Sequence, residues 1–153
     1  MNSLISRAWT EVVDPLLRRP KRVQVAALCY RSNEDGQKDV LLITSRDTGR
    51  WILPKGWPID GMEAGQAAMQ EAWEEAGVAN GTVSSAPVGT FEYYKRFDSG
   101  ADVPCVTDVF AVEVGELAND YPEQSERQRK WVSPGEAASL VDEPELRQLL
   151  NDF

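Results

Sequence analysis

Trp51 to Val78, WILPKGWPIDGMEAGQAAMQEAWEEAGV, is the stretch from which the rest of this chain can be read. A short β-rich run, Trp51 to Leu53, is stopped by Pro54, and a loop holding Gly56 and Gly61 follows. The spacing then predicts a helix over Glu63 to Ala76, ended by Gly77. On that helix Glu71, Glu74 and Glu75 stand at i, i+3 and i+4 and share one face, while Met69, Ala72, Trp73 and Ala76 make the other side apolar.

A solvated acidic face ordinarily interleaves Lys or Arg one turn away. This one does not. From Gly56 to Tyr94 there is no Lys or Arg, while Asp60, Glu63, Glu71, Glu74, Glu75 and Glu92 all fall inside. Two carboxylates about 5 Å apart repel by roughly 3 kcal/mol at an effective dielectric near 20. Such a cluster calls for a cation, and oxygen-only ligands point to a hard one, Mg²⁺ or Mn²⁺.

Outward from the helix, Val23–Arg31 and Val40–Ser45 read as strands joined by a turn at Asp35-Gly36. Trp51–Leu53 is a short third strand and Lys55–Gly61 a loop. Gly81–Ala86, Val88–Arg96, Pro104–Val114 and Arg129–Val132 read as further strands, with an acidic loop over Gly115–Gln128. Ser133-Pro134-Gly135-Glu136 begins a helix by a capping box, and a second helix follows over Pro144–Leu150. A short helix, Leu4–Val13, and a basic run, Arg18–Arg22, precede the first strand. Strands, a central helix, more strands and a terminal helix do not alternate as βα units do, so the class is α+β in one domain, 1–153.

The stretch resembles the box of the Nudix hydrolases, G-x5-E-x7-R-E-U-x-E-E-x-G-U, where U is aliphatic. Gly56 takes the first glycine, Glu71 the Glu of the Arg-Glu pair, Glu74 and Glu75 the Glu-Glu pair, and Gly77 and Val78 close it. Met62 stands where the box has Glu and Gln70 where it has Arg. In the family those two side chains pair and brace the loop against the helix; Glu63 could serve after a one-residue slip. The resemblance implies a Nudix-type α/β/α sandwich with a mixed central sheet. It also implies metal ligands at Glu71, Glu74, Glu75 and the Gly56 carbonyl, with either Glu71 or Glu75 as the catalytic base. Glu123 and Glu126, in the loop before the last strand, read as solvated loop charge, with a contribution to the site from opposite the box as the alternative.

Outside the box, VAALCYR, VLLITSRDTGRWILPKG, VGTFEYYKR and ERQRKW are similar to the diphosphoinositol polyphosphate phosphohydrolase branch. That likeness implies phosphate contacts at Arg22, Arg46, Arg96 and Arg127 and a hydroxyl contact at Thr44. Lys55 lies nearby and joins the substrate-binding set, with Arg50 and Lys95 as further neighbours. The implied reaction is metal-dependent hydrolysis of a diphosphate linkage in a polyphosphorylated small molecule, a diphosphoinositol polyphosphate or a dinucleoside polyphosphate. Hydrolysis of another nucleoside diphosphate derivative, or non-catalytic binding of a nucleotide or metabolite, are the alternatives.

Composition narrows the field further. A net charge of −9 argues against a nucleic-acid partner. With no histidine, there is no Ser-His-Asp triad, His-ligated zinc or imidazole base. Cys29 and Cys105 lie in apolar strand-like runs and read as buried thiols, which suits a reducing cytoplasm. No signal peptide and no apolar run near the ~20 residues of a membrane span is expected.

Overall fold

The computed structural model describes residues 21–97 and 99–153; the Leu4–Val13 helix expected from the sequence lies outside them, as does most of the basic run. The strands are β1 (Arg22–Ser32), β2 (Lys38–Thr44), β3 (Trp51–Ile52), β4 (Lys55–Gly56), β5 (Val78–Val83), β6 (Gly89–Arg96), β7 (Asp102–Leu117) and β8 (Arg129–Val132). The helices are α1 (Ala64–Ala76), α2 (Pro134–Leu140) and α3 (Pro144–Asp152). The sheet is mixed. β1 runs parallel to β7, with Val25 opposite Asp108 and Ala27 opposite Phe110, while β2, β4, β5, β6 and β8 pair antiparallel with their neighbours.

Both faces of this sheet are covered, and the period-2 alternation of strand side chains separates two cores. Val25, Ala27 and Cys29 of β1 join Leu41, Ile43, Phe110 and Val112 beneath α1. Ala26 and Leu28 join Val40, Leu42, Phe91 and Val109 on the opposite face, against Ala137 and Ala138 of α2 and Leu146 and Leu150 of α3. The architecture is the α/β/α sandwich with a mixed sheet expected for an α+β Nudix fold. Ser133 caps α2 as its sequence implies, accepting from the Glu136 N–H at 3.1 Å. No helix among the described residues is long and apolar enough to cross a membrane. Cys29 and Cys105 are free and buried, and burial pushes the Cys29 thiol up to about 12.

Several boundaries differ from the sequence reading. Lys55 and Gly56 are not loop but a short strand, paired with Ala26 and Val25 of β1. β5 starts at Val78, directly after Gly77, and its pairing with β7 shifts register between Val78 and Gly81. β7 is longer than Pro104–Val114 because its far end continues to pair with β5 at Leu117. On α1 the buried positions are Ala67, Ala68, Ala72, Glu75 and Ala76, whereas Trp73 is half-buried. Small side chains let the helix lie close on the sheet, and a large indole at Trp73 is left at the margin.

Candidate active site

α1 and β4 face each other across a short gap. A Cβ placed on Gly56 would land on the Glu71 carboxylate, so the glycine is required by the approach of that side chain. Glu71 is in turn hydrogen-bonded to Glu75. Burial, then that bond, then the charges of Glu75, Glu74 and Glu123 push the Glu71 carboxyl up to about 8. Burial also raises Glu75, against the opposing pull of the Glu71 bond and of Arg127. With no cation bound, both shifts favour a proton kept between the two carboxyls. Glu75 is 6% exposed, and its Oε1 also accepts from the Lys55 backbone N–H at 3.4 Å.

Glu74 turns the other way. Its Oε1 accepts from the Gln70 amide at 2.9 Å, so the residue standing where the box has Arg still grips a site carboxylate. Sequence reasoning treated Gln70 as a missing partner; a neutral donor at i−4 is the signal it passed over. Met62, the other departure, is exposed.

The segment before β8 closes the site from the C-terminal end of α1. The Glu123 N–H donates to the Glu74 carbonyl at 3.0 Å. The Glu123 carboxylate accepts from Arg127 Nη2 at 3.1 Å and pairs with Arg46 at 3.3 Å. It is not the solvated loop charge that the sequence suggested, and its i,i+4 spacing to Arg127 was the available clue. Glu126 is half-exposed and pairs with Arg46 at 3.7 Å. Arg129, from β8, donates to the carbonyls of Ala76 at 2.7 Å and Ala118 at 2.8 Å, satisfying the end of a helix that has no basic residue in its last turn.

The expected substrate contacts fall into two groups. Arg46, 56% exposed, stands beside Glu123 near the acids. Thr44, at the end of β2, accepts from the Gln128 N–H through its hydroxyl at 2.9 Å and from Arg127 through its carbonyl at 3.0 Å. The Arg127 side chain is only 7% exposed; Glu123, the Thr44 carbonyl and, at 3.6 Å, Glu75 surround its guanidinium. Arg22 and Arg96 lie at the opposite margin, where β1 begins and β6 ends. Arg22 stacks over Phe97 at 5.4 Å, and Arg96 pairs with Asp102 at 3.2 Å. Lys95 reaches over Trp57 of the box loop at 5.9 Å, tying this margin to the site. Lys55 follows the strand alternation away from Gly56, so its ammonium lies on the other face, over Tyr93 at 5.1 Å. Burial pushes it down to about 8, although Glu143 pulls it upward.

The donor set suits a hard divalent cation. Glu75, buried, and Glu71, half-buried and facing it, present paired oxygens that a dication can take over. Among the described residues no three acids are already drawn around one point: Glu71 and Glu75 meet, while Glu74 is held by Gln70. Full ligation would thus require displacing the proton between Glu71 and Glu75 and turning Glu74 off its amide partner.

Residues 22–153 match the model of the NUDIX domain family. The chain is 31% identical over 118 residues to Nudix hydrolase 12, mitochondrial, of Arabidopsis thaliana, covering 75% of this chain and 58% of the relative. It is 33% identical over 121 residues to diphosphoinositol polyphosphate phosphohydrolase 3-alpha of Homo sapiens, covering 77% of this chain and 68% of the relative. A crystal structure of the C. elegans Ap4A hydrolase superposes with a TM-score of 0.62 at 20% identity, over 88% of this chain and 96% of that one. The chain thus spans less than two thirds of the length of the Arabidopsis relative.

Proposed function

Since this chain belongs to the Nudix family, we propose that it hydrolyses a diphosphate linkage in a small molecule carrying several phosphates, with Mg²⁺ or Mn²⁺ as cofactor. The observation that carries the reading is the Glu71–Glu75 pair, a half-buried and a buried carboxyl facing each other beside Gly56 and Glu74. Three carboxylates on one helix face, two of them already hydrogen-bonded to each other, have little use in a fold except to bind cations and move protons.

Glu71, Glu74, Glu75 and the Gly56 carbonyl would hold the metal. Bound there, it neutralises charge on the phosphoryl oxygens, the main barrier to attack at phosphorus. Either Glu71 or Glu75 takes the proton of the attacking water; both lie where burial raises carboxyl basicity. Arg46 offers an exposed guanidinium next to the acids, where its fork suits a phosphate bidentately. Arg22, Arg96 and Lys95 supply further positive charge at the margin reached through Trp57. That excess over what one diphosphate can use favours diphosphoinositol polyphosphates or dinucleoside polyphosphates, the substrate classes in the names of the human and C. elegans proteins it resembles. The free, buried thiols suit a reducing compartment such as the cytoplasm.

The test is kcat/KM for Ap5A against ADP-ribose with Mg²⁺ or Mn²⁺, in wild type and in Arg46→Ala. The reading expects Ap5A to be preferred, and Arg46→Ala to lose about 1.5–3 kcal/mol of transition-state stabilisation on Ap5A and less on ADP-ribose. Equal wild-type values, with equal losses in the variant, would remove the polyphosphate assignment.

A further inference from the structure

We propose that Arg127 is a positioning residue for Glu75, and that through it the segment 121–129 does the work of the loop-to-helix brace that Met62 and Gln70 do not form. This rests on the assignment of Glu71, Glu74 and Glu75 as metal ligands.

Arg127 joins three elements at one buried point. Its Nε and Nη2 both reach Glu123 Oε1, at 3.3 and 3.1 Å. Nη1 donates to the Thr44 carbonyl at the end of β2 at 3.0 Å, and Nη2 lies 3.6 Å from Glu75 Oε1 on α1. The segment that carries it is fixed independently. The Thr44 N–H donates to the Gln128 carbonyl, the Gln128 N–H donates to the Thr44 hydroxyl, and the Glu123 N–H donates to the Glu74 carbonyl. A planar fork with its donors already directed loses little freedom in such a bridge.

Charge favours the same role. Glu75 is buried beside a second acid, and a buried carboxylate without a cationic partner is strongly penalised. Arg127 supplies that partner in the absence of substrate. With only 7% of its side chain exposed, it offers a phosphate little surface while it holds Glu123 and the Thr44 carbonyl. Arg46 differs on each point: it is 56% exposed and pairs with the same Glu123 from the solvent side. The two arginines thus divide the labour, Arg46 facing the substrate and Arg127 holding the ligand that the substrate's metal needs.

The experiment compares Arg127→Ala and Arg127→Lys with wild type in two readouts. The first is Mn²⁺ binding to the purified protein, without substrate, by electron paramagnetic resonance titration. The second is the division of any activity loss between kcat and KM for Ap5A and ADP-ribose. Positioning predicts that Mn²⁺ binds about tenfold more weakly or worse in Arg127→Ala, and that kcat falls by a similar factor on both substrates with KM little changed. The lysine variant keeps the charge but cannot reach all three acceptors, so it recovers part of the Mn²⁺ affinity. Should the alanine variant fail to fold, the lysine variant is read against wild type in the same way. Unchanged Mn²⁺ affinity, or a loss confined to KM and larger for Ap5A, would overturn the proposal and return Arg127 to the substrate. Because the titration needs no substrate, it decides the point even if wild type cleaves neither compound.

Discussion

The two ends of α1 are held by different means. At its N-terminus, Glu63 occupies the cap position without a side-chain cap bond, the first turn has no acid, and Met62 is exposed. At its C-terminus, Gly77 takes the left-handed conformation at φ 75 and donates to the carbonyls of Ala72 and Trp73. There Arg129 also grips the Ala76 carbonyl, Glu123 the Glu74 carbonyl, and Arg127 the Glu75 carboxylate. The three acids lie toward this second end. The register of the site is therefore set by long-range contacts from the pre-β8 segment, and the box loop has little hold on it.

Breaking the well-held end should have the largest effects. Glu74→Gln and Glu75→Gln are each expected to lower kcat by on the order of 10² or more, since each removes a charged ligand from the phosphoryl-transfer site. Circular dichroism should show both variants folded. Near-normal rates in both would place the metal elsewhere.

Gly77→Ala compares the ends by stability. An alanine there must adopt positive φ, and its Cβ would come within 2.6 Å of the Arg129 guanidinium and against the Tyr121 ring. A loss of more than about 1 kcal/mol in urea unfolding is expected. Glu63→Ala, at the loosely held end, should stay within about 0.5 kcal/mol. Similar losses in the two variants would erase the asymmetry.

Restoring the family pair tests the loose end directly. Met62→Glu with Gln70→Arg should be better tolerated than the sum of the single changes, because the double change gives the new Glu a cationic partner that Met62→Glu alone lacks. A coupling of about 0.5 kcal/mol or more is expected from a double-mutant cycle in stability. No coupling would mean that the two positions do not meet in this loop.

A separate expectation concerns pH and the metal-free protein. The folded Glu71 carboxyl is raised from its ordinary 4.5 to about 8, so between those values the native state holds a proton that the unfolded chain has released. This contribution to stability is fully present below the unfolded value and fades as pH rises through about 8. The Tm in EDTA should accordingly fall more steeply from pH 5 to 8 in wild type than in Glu71→Gln. Parallel curves would show that the pair holds no shared proton.

Local patterns in the sequence carried much of this. The i, i+3, i+4 spacing placed Glu71, Glu74 and Glu75 together, Gly77 marked the end of α1, and Ser133 marked the start of α2. What stayed hidden depends on contacts far apart in the chain. Arg129 meets Ala76 across 53 residues, and no local pattern announces that a basic side chain from β8 will complete α1. The same distance concealed the burial of Glu75 and Arg127, which the sequence presents as one more acid on a charged face and one more arginine in a basic run. Gly56 is an intermediate case. Its place in the box was legible, but its need to admit the Glu71 carboxylate, and its pairing with β1, appear only in the folded chain.

The account turns on the claim that the Glu71–Glu75 contact is where a divalent cation binds. Calorimetric titration of the metal-free protein with Mn²⁺ near pH 7, repeated in two buffers of different ionisation enthalpy, measures both affinity and protons released. Binding with net release of protons is predicted for wild type, because the cation displaces the proton the two carboxyls share. Binding should weaken sharply in Glu75→Gln. Mn²⁺ binding that releases no protons and is unchanged in Glu75→Gln would contradict the claim.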